Sequence, residues 1–319
     1  MAAVPVHITG ELARSWQRGA RLALLMLGAG VLQACAMADL RVTPDVHRFE
    51  VPAAETRTHN AAAPSSLRVM TLNVAHGRGE SFHQLLQKTA VTVKNLDMIS
   101  ALLRREQPDV VALQEIDGAS YWNGNFRHID YLARQAEFSR AVDGFNVNGM
   151  GLAYGTALLS VLDLSQPSVV TFDPERSLTP KGFVVATVDW PGSPDVKVDV
   201  VSLHLDFSSA DLRRQQAQEL IEVLRERRQP LVIMGDFNAE WEAGHSVVWY
   251  IADQLGLAAY RPATTGQQTF AYSDKRLDWI LISDDLDFRD YRVMADTVSD
   301  HRGVVAELVL NNQLVSNSH

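Results

Sequence analysis

Leu231-Val232-Ile233-Met234-Gly235-Asp236-Phe237-Asn238 is the stretch from which the rest of the chain is read. The four apolar residues are the sequence of a buried strand. The next four place an acidic and an amide side chain at its carboxyl end. In open α/β sheets, ligands bind beyond those ends. Asp236 supplies a hard anionic oxygen, and Asn238 supplies amide donors or an acceptor. That pairing suits a metal ion and a phosphate group.

The pattern recurs along the chain. Asn73 follows Val69-Met70-Thr71-Leu72, Glu115 follows Val110-Val111-Ala112-Leu113-Gln114, and His204 follows Val200-Val201-Ser202-Leu203. Asp278 lies in Arg276-Leu277-Asp278-Trp279-Ile280-Leu281, and Asp300-His301 precedes Arg302-Gly303-Val304-Val305. Taken singly, a strand-end Asp or Asn caps or turns the chain, and a lone His or Glu is an ordinary hydrogen-bonded or solvated side chain. Taken together, several oxygen ligands and two imidazoles without a Cys suit a hard cation (Mg²⁺, Mn²⁺ or Ca²⁺) better than structural zinc.

Strand and helix signals interleave around these positions. Strands are expected at Leu67–Val74, Asp109–Leu113, Gly151–Ser160, Ser168–Thr171, Phe183–Asp189, Val196–His204, Leu231–Met234, Arg276–Ser283, Phe288–Met294 and Gly303–Leu310. Val93, Leu96, Ile99, Leu102 and Leu103 keep helical spacing through Thr92–Arg105. Further helices are expected over Ile129–Phe138 and Ala210–Arg227, the second capped by Ser208 or Ser209, with Asp211 favourable in its first turn. Strands apolar on both faces fit sheets covered on both sides. The expected fold class is therefore α/β (α+β), with two packed sheets and helices outside.

Composition narrows the function. The 319 residues are 46% hydrophobic and 21% charged, which is ordinary globular usage. The net charge of −9 lacks the basic footprint of a tight nucleic-acid binder. Arg14, Arg18 and Arg21 precede an apolar stretch from Leu22 to Ala34, too short to span a bilayer comfortably. The stretch closes on Leu32-Gln33-Ala34-Cys35, which resembles a lipobox, with cleavage before Cys35 and lipidation of its thiol. Cys35 is the only cysteine, so no intramolecular disulfide forms.

This reading divides the chain into a signal peptide (1–34), a tether (35–66), a catalytic domain (67–310) and a polar tail (311–319). Part of Val42–Val51 is open to pairing as an edge strand. The expected location is the bacterial cell envelope, as a periplasm-facing lipoprotein of the outer membrane anchored through Cys35. A plain secretory signal and a secreted protein is the alternative.

The segments Thr71-Leu72-Asn73-Val74, Leu113-Gln114-Glu115, Ser202-Leu203-His204, Gly235-Asp236-Phe237-Asn238, Leu277-Asp278-Trp279-Ile280 and Ser299-Asp300-His301, with Gly155-Thr156-Ala157-Leu158-Leu159-Ser160, resemble the endonuclease/exonuclease/phosphatase superfamily in order and spacing. The superfamily includes DNase I-like nucleases, inositol polyphosphate 5-phosphatases and bacterial sphingomyelinases. The resemblance implies a four-layer α/β/β/α sandwich of two mixed sheets packed face to face. It also implies divalent-metal-dependent attack of water on a phosphoester, with one or two ions bound.

On this resemblance Glu115 is the principal metal carboxylate, with Asn73 beside it and Asp300 supporting the same or a second ion. Asp236 orients or deprotonates the attacking water, and Asn238 holds a phosphate oxygen. Asp278 accepts a hydrogen bond from His301, whose imidazolium faces the phosphoryl group. His204 contacts the phosphate or protonates the leaving oxygen. His76 and Arg78 are candidate substrate contacts. The Tyr121-Trp122-Asn123-Gly124-Asn125-Phe126 segment brings aromatics near Glu115, with rim packing slightly favoured over stacking on a substrate.

The sequence leaves the substrate open. Ala75 stands where the abasic-site nucleases of the superfamily carry Asp, which weighs against a repair enzyme. A small-molecule or lipid phosphodiester is the expected substrate of a monomeric enzyme. The alternatives are an envelope nuclease, with nucleic acid as substrate only, and a catalytically silent lipid-anchored binding protein.

Overall fold

The computed structural model describes residues 41–50, 66–81, 87–177 and 179–311. Cys35 and the expected signal peptide lie outside them, as does most of the expected tail. Among the described residues no helix is long and apolar enough to cross a membrane.

Among the described residues, fourteen strands form two mixed seven-stranded sheets. One has the order β1 (Arg41–Val42), β7 (Ser165–Thr171), β8 (Gly182–Trp190), β9 (Ser193–His204), β10 (Leu231–Asp236), β12 (Asp278–Ser283) and β11 (Leu257–Ala259). The other has the order β13 (Leu286–Val293), β14 (Val304–Leu310), β3 (Ser66–Asn73), β4 (Val110–Asp117), β6 (Leu152–Ser160), β5 (Arg140–Gly149) and β2 (His47–Arg48).

Alternation decides which face each side chain takes. Val69, Val110, Ala112 and Leu158 meet Val184, Val200, Val232, Met234 and Ile280 between the sheets. The opposite faces carry Met70, Leu72, Val111 and Leu113 on one sheet and Val201, Leu203, Ile233 and Leu281 on the other. The first face is covered by α1 (Thr89–Glu106) and α2 (His128–Gln135), the second by α3 (Ala210–Arg225) and α4 (Val247–Leu255). The result is the expected four-layer α/β/β/α sandwich.

Elements follow the sequence reading closely, with physical reasons for the differences. Ser209, not Ser208, caps α3 by accepting from the Leu212 amide at 3.3 Å. Ser208 instead donates to Asp206 at 2.7 Å. The helix ends at Arg225, short of Arg227, whose guanidinium is drawn into a partly buried ion pair with Asp199 at 2.7 Å. Strand β5, helix α4 and strand β11 were not expected. Within the expected tether, Arg41–Val42 and His47–Arg48 each add a two-residue strand to an outer edge, one on each sheet.

Topology places the polar strand ends together. Strands β3 and β4 run parallel, as do β9 and β10. Their carboxyl ends meet the amino ends of the antiparallel β8, β12 and β14. Asp236 pairs in register with both His204 and Asp278. Gly235 is required there: a Cβ would stand 1.9 Å from the Leu203 carbonyl oxygen. Gly155 meets the same constraint, since its Cβ would lie 1.9 Å from the Gly144 carbonyl oxygen.

Candidate active site

Beneath the site lies a buried polar floor that ties the sheets together. Thr71 Oγ1 donates to Gln114 Oε1 at 3.3 Å, Gln114 Nε2 donates to Ser202 Oγ at 3.1 Å, and Ser202 Oγ donates to the Leu113 carbonyl at 3.0 Å. Buried polar groups specify one arrangement when satisfied and are costly when not. This floor sets the sheet-to-sheet register directly below Asn73, Glu115 and His204.

Glu115 owes its direction to a bulge. The β4–β6 register shifts between Gln114 and Ile116, and Glu115 sits between them at a φ of 52°. Such a bulge re-aims a side chain at a sheet end. The Glu115 carboxylate lies 3.4 Å from His76 Nε2, 3.9 Å from Lys181 Nζ and 4.0 Å from His204 Nε2. Burial opposes its ionisation, but the His76, Lys181 and Arg78 charges outweigh that and hold it well below the usual carboxylate range.

Asp236 is the hub. Its Oδ2 accepts from Asn73 Nδ2 at 3.1 Å, and its Oδ1 accepts from the Asn238 amide at 2.9 Å. Oδ2 also lies 3.6 Å from His204 Nε2 and 3.8 Å from His301 Nε2. Those two separations exceed direct hydrogen bonds, so both imidazoles remain able to serve a ligand. Burial and the Asp278 carboxylate push the Asp236 carboxyl up, against the pull of His301.

The two histidines differ in charge. His301 Nδ1 donates to Asp278 Oδ2 at 2.8 Å. Burial works against its proton, yet Asp278 and Asp236 raise its pKa well above the ordinary value. At neutral pH it is an imidazolium. His204 is pushed down by burial and by Lys181, so it is neutral. Ligand atoms of Asp236, Asp278 and His301 fall within 4.8 Å of one another. A protonated His301 has no lone pair to give a metal, so this cluster reads first as a place that stores a proton.

Where a hard cation fits is decided by the donors. The Glu115 carboxylate is anionic and has no cationic partner closer than 3.4 Å. Asp278 Oδ1 is buried with no hydrogen-bond partner among the described residues. Both are oxygens of the kind Mg²⁺ and Mn²⁺ accept. Asn73 Oδ1 already accepts from the Ala75 amide at 2.9 Å. Asp300 is held 2.6 Å from the Arg78 guanidinium, with its charge matched there.

The remaining candidates sit at the rim. His76 Nδ1 is 2.6 Å from Asp117 Oδ1, so Asp117 and Glu115 hold the ring between them. Trp122 packs edge-on against His76 at 5.6 Å and donates to Asp117 at 2.6 Å, while Tyr121 is exposed. Phe126 packs on His128 at 5.0 Å. Asn238 donates through Nδ2 to the Leu205 carbonyl at 3.0 Å, which fixes its orientation and leaves the amide oxygen free to accept. Sequence reasoning missed Asp117 and Lys181. The signal for Lys181 was present: it directly precedes the apolar run Gly182-Phe183-Val184-Val185, and Gly182 pairs with His204.

A profile described as the Endonuclease/Exonuclease/phosphatase family matches residues 70–301. No curated protein matches the chain. Among solved structures, the chain is similar to an endonuclease/exonuclease/phosphatase from Beutenbergia cavernae, with 22% identity, 77% of this chain and 72% of that one covered, and a TM-score of 0.59. It is similar to a mannosyl-6-phosphatase of Bacteroides thetaiotaomicron, with 16% identity, coverage of 77% and 100%, and a TM-score of 0.61. The human nocturnin catalytic domain, solved with a bound sulfate anion, gives 18% identity, coverage of 84% and 98%, and a TM-score of 0.57. At these identities the likeness is one of fold.

Proposed function

Because this chain belongs to the Endonuclease/Exonuclease/phosphatase family, we propose that it hydrolyses a small-molecule or lipid phosphodiester by in-line attack of water, with a divalent cation bound. The observation that carries this reading is Asp236 set between neutral His204 at 3.6 Å and charged His301 at 3.8 Å, on the same edge as Glu115. That edge links a base, a proton donor and an anionic metal ligand through His204, which lies 3.6 Å from Asp236 and 4.0 Å from Glu115.

Glu115 is the principal ligand for the cation, with Asn73 at its side. Mg²⁺ or Mn²⁺ suits this oxygen set, and when bound it supplies charge neutralisation at the phosphoryl oxygens. Asp236 orients water and accepts its proton; a carboxyl raised by burial is a stronger base than an exposed one. Asn238 hydrogen-bonds the substrate beside it. The charge assignments divide the two imidazoles. His301, kept protonated by Asp278, stabilises the phosphoryl charge and holds the proton for the departing oxygen. Neutral His204 contacts the phosphate.

His76 positions Glu115 together with Asp117, and Arg78 positions Asp300. Attachment to the envelope through Cys35 belongs to the same reading and rests on the Leu32-Gln33-Ala34-Cys35 pattern. Net acidity argues for a small or lipid ester over a nucleic-acid strand.

The test is turnover of bis(p-nitrophenyl) phosphate with the metal varied. His204→Ala and Asp236→Ala are each expected to lower kcat on the order of 10²- to 10⁴-fold, with circular dichroism unchanged. EDTA removes activity and Mg²⁺ or Mn²⁺ restores it. Near-parental rates in both variants would overturn the site. Salt-sensitive cleavage of plasmid DNA exceeding that of small esters would move the assignment to a nuclease.

A further inference from the structure

The connection from β11 to β12, residues 260–277, exceeds the ~12–15 residues beyond which a connection without its own secondary structure is usually functional. Part of it passes the site as a short antiparallel pairing. Phe270 bridges His301, the Ala271 amide donates to the Asp300 carbonyl at 2.8 Å, and the Arg302 amide donates to the Thr269 carbonyl at 2.7 Å. The middle of the loop is thereby laid along Asp300-His301-Arg302.

Two residues of this loop hold the Asp278–His301 pair. Thr269 is fully buried. Its Oγ1 accepts from the Leu277 amide at 2.9 Å and from the Asp278 amide at 3.1 Å. Strand β11 pairs with β12 only from Leu281 to Ser283, so both amides lie beyond that ladder. Buried amides require partners, and one hydroxyl serves two of them. The half-buried Phe270 ring packs on the His301 imidazole, with centroids 5.0 Å apart.

Asp278 depends on this support. Its Oδ2 accepts from His301 Nδ1 at 2.8 Å, and its Oδ1 has no hydrogen-bond partner among the described residues. No second hydrogen bond steers the carboxylate there, so its place follows from the backbone that Thr269 holds. The His301 ring in turn takes its orientation from that carboxylate on one edge and from Phe270 on its face.

We propose that Thr269 and Phe270 are positioning residues for the reaction: the Thr269 hydroxyl sets the Asp278 carboxylate, the Phe270 ring sets the His301 imidazole, and together they aim His301 Nε2 at the phosphoryl group. The assignment rests on the hydrolase reading and deepens it. No strand-length apolar run marks Gln267-Gln268-Thr269-Phe270, so the pairing with Asp300-His301-Arg302 is what brings these residues to the site.

The experiment substitutes Thr269 in two ways. Thr269→Val keeps the shape and removes the acceptor, whereas Thr269→Ser keeps the hydroxyl and removes the methyl group. Turnover of bis(p-nitrophenyl) phosphate with Mg²⁺ is measured beside the downfield proton resonance of the Asp278–His301 hydrogen bond, assigned by its absence in His301→Gln. Thr269→Val is expected to lower kcat on the order of 10²-fold, as small misplacements of a reacting group do, and to lose the resonance. Its KM is expected to stay within about twofold of the parent, because the lost interaction is one made in the transition state. Thr269→Ser is expected to retain kcat within about threefold and to keep the resonance. Phe270→Ala is expected to lower kcat about tenfold and to broaden the resonance as water reaches the ring.

Parental kcat and resonance in Thr269→Val would overturn the proposal. Equal losses in Thr269→Val and Thr269→Ser would also overturn it, making Thr269 a packing residue. If Thr269→Val does not fold, Phe270→Ala carries the test, and parental kcat with a sharp resonance there would overturn the role of the loop. A resonance that Thr269→Val loses, in a parent that turns over no phosphoester, would keep the positioning and overturn the hydrolase.

Discussion

Asp278 shows how one side chain sets the state of another. Its carboxylate holds the His301 Nδ1 proton at 2.8 Å, and its charge helps keep the ring an imidazolium in spite of burial. Asp278→Asn removes the charge and keeps the shape. The His301 pKa then falls, so the alkaline limb of the rate–pH profile is expected to move to lower pH, with kcat at neutral pH reduced on the order of 10²-fold. Steady-state kinetics across the pH range checks both. The residue identities at this site could be read from the sequence because each flanks an apolar run. Their charges could not: His204 and His301 look alike in sequence, and burial beside Lys181 or beside two carboxylates makes one neutral and the other cationic.

Element packing carries its own signatures. Strand β10 passes so close to β9 that a Cβ at Gly235 would overlap the Leu203 carbonyl oxygen. Gly235→Ala is expected to cost on the order of 3 kcal/mol in urea denaturation, because overpacking a buried backbone contact leaves little room to relax. Helix α2 begins at His128, which is fully buried, with neither ring nitrogen bonded among the described residues. Burial lowers its pKa from the ordinary 6.5 to about 4. Above pH 6.5 neither state binds the proton and the residue contributes no pH dependence. Between pH 6.5 and 4 the unfolded chain takes up a proton that the folded one does not, so stability falls as the pH falls. The loss totals about 3 kcal/mol. His128→Gln is expected to flatten the stability–pH curve over that window.

Elements with plain periodicity were legible and those without it were not. Strand β5 hides its alternation behind Gly144 and a register shift before Val147. Helix α4, Val-Val-Trp-Tyr-Ile-Ala-Asp-Gln-Leu, is apolar on too many sides to show a single stripe.

At the scale of the molecule, the segment before Glu50 closes the edges. Arg41–Val42 lies on β7 and His47–Arg48 on β5, where His47 and Arg127 both meet Asp143 at 2.8 Å. Exposed edge strands recruit other chains. Deleting residues 1–50 is therefore expected to leave catalysis intact while lowering the melting temperature and raising light scattering on warming.

The order of apolar runs and their polar terminators was determined by the sequence alone, because strand burial and strand-end chemistry are local. The sequence therefore carried the two sheets, the outer helices, and the positions of Asn73, Glu115, His204, Asp236, Asp278 and His301. Tertiary structure decided what lies between distant segments: the Glu115 bulge, and the Lys181 and Asp117 side chains brought beside Glu115 and His76. Those depend on which strand edges and loops meet across the sandwich, and that follows from long-range packing, which no local window of the chain records.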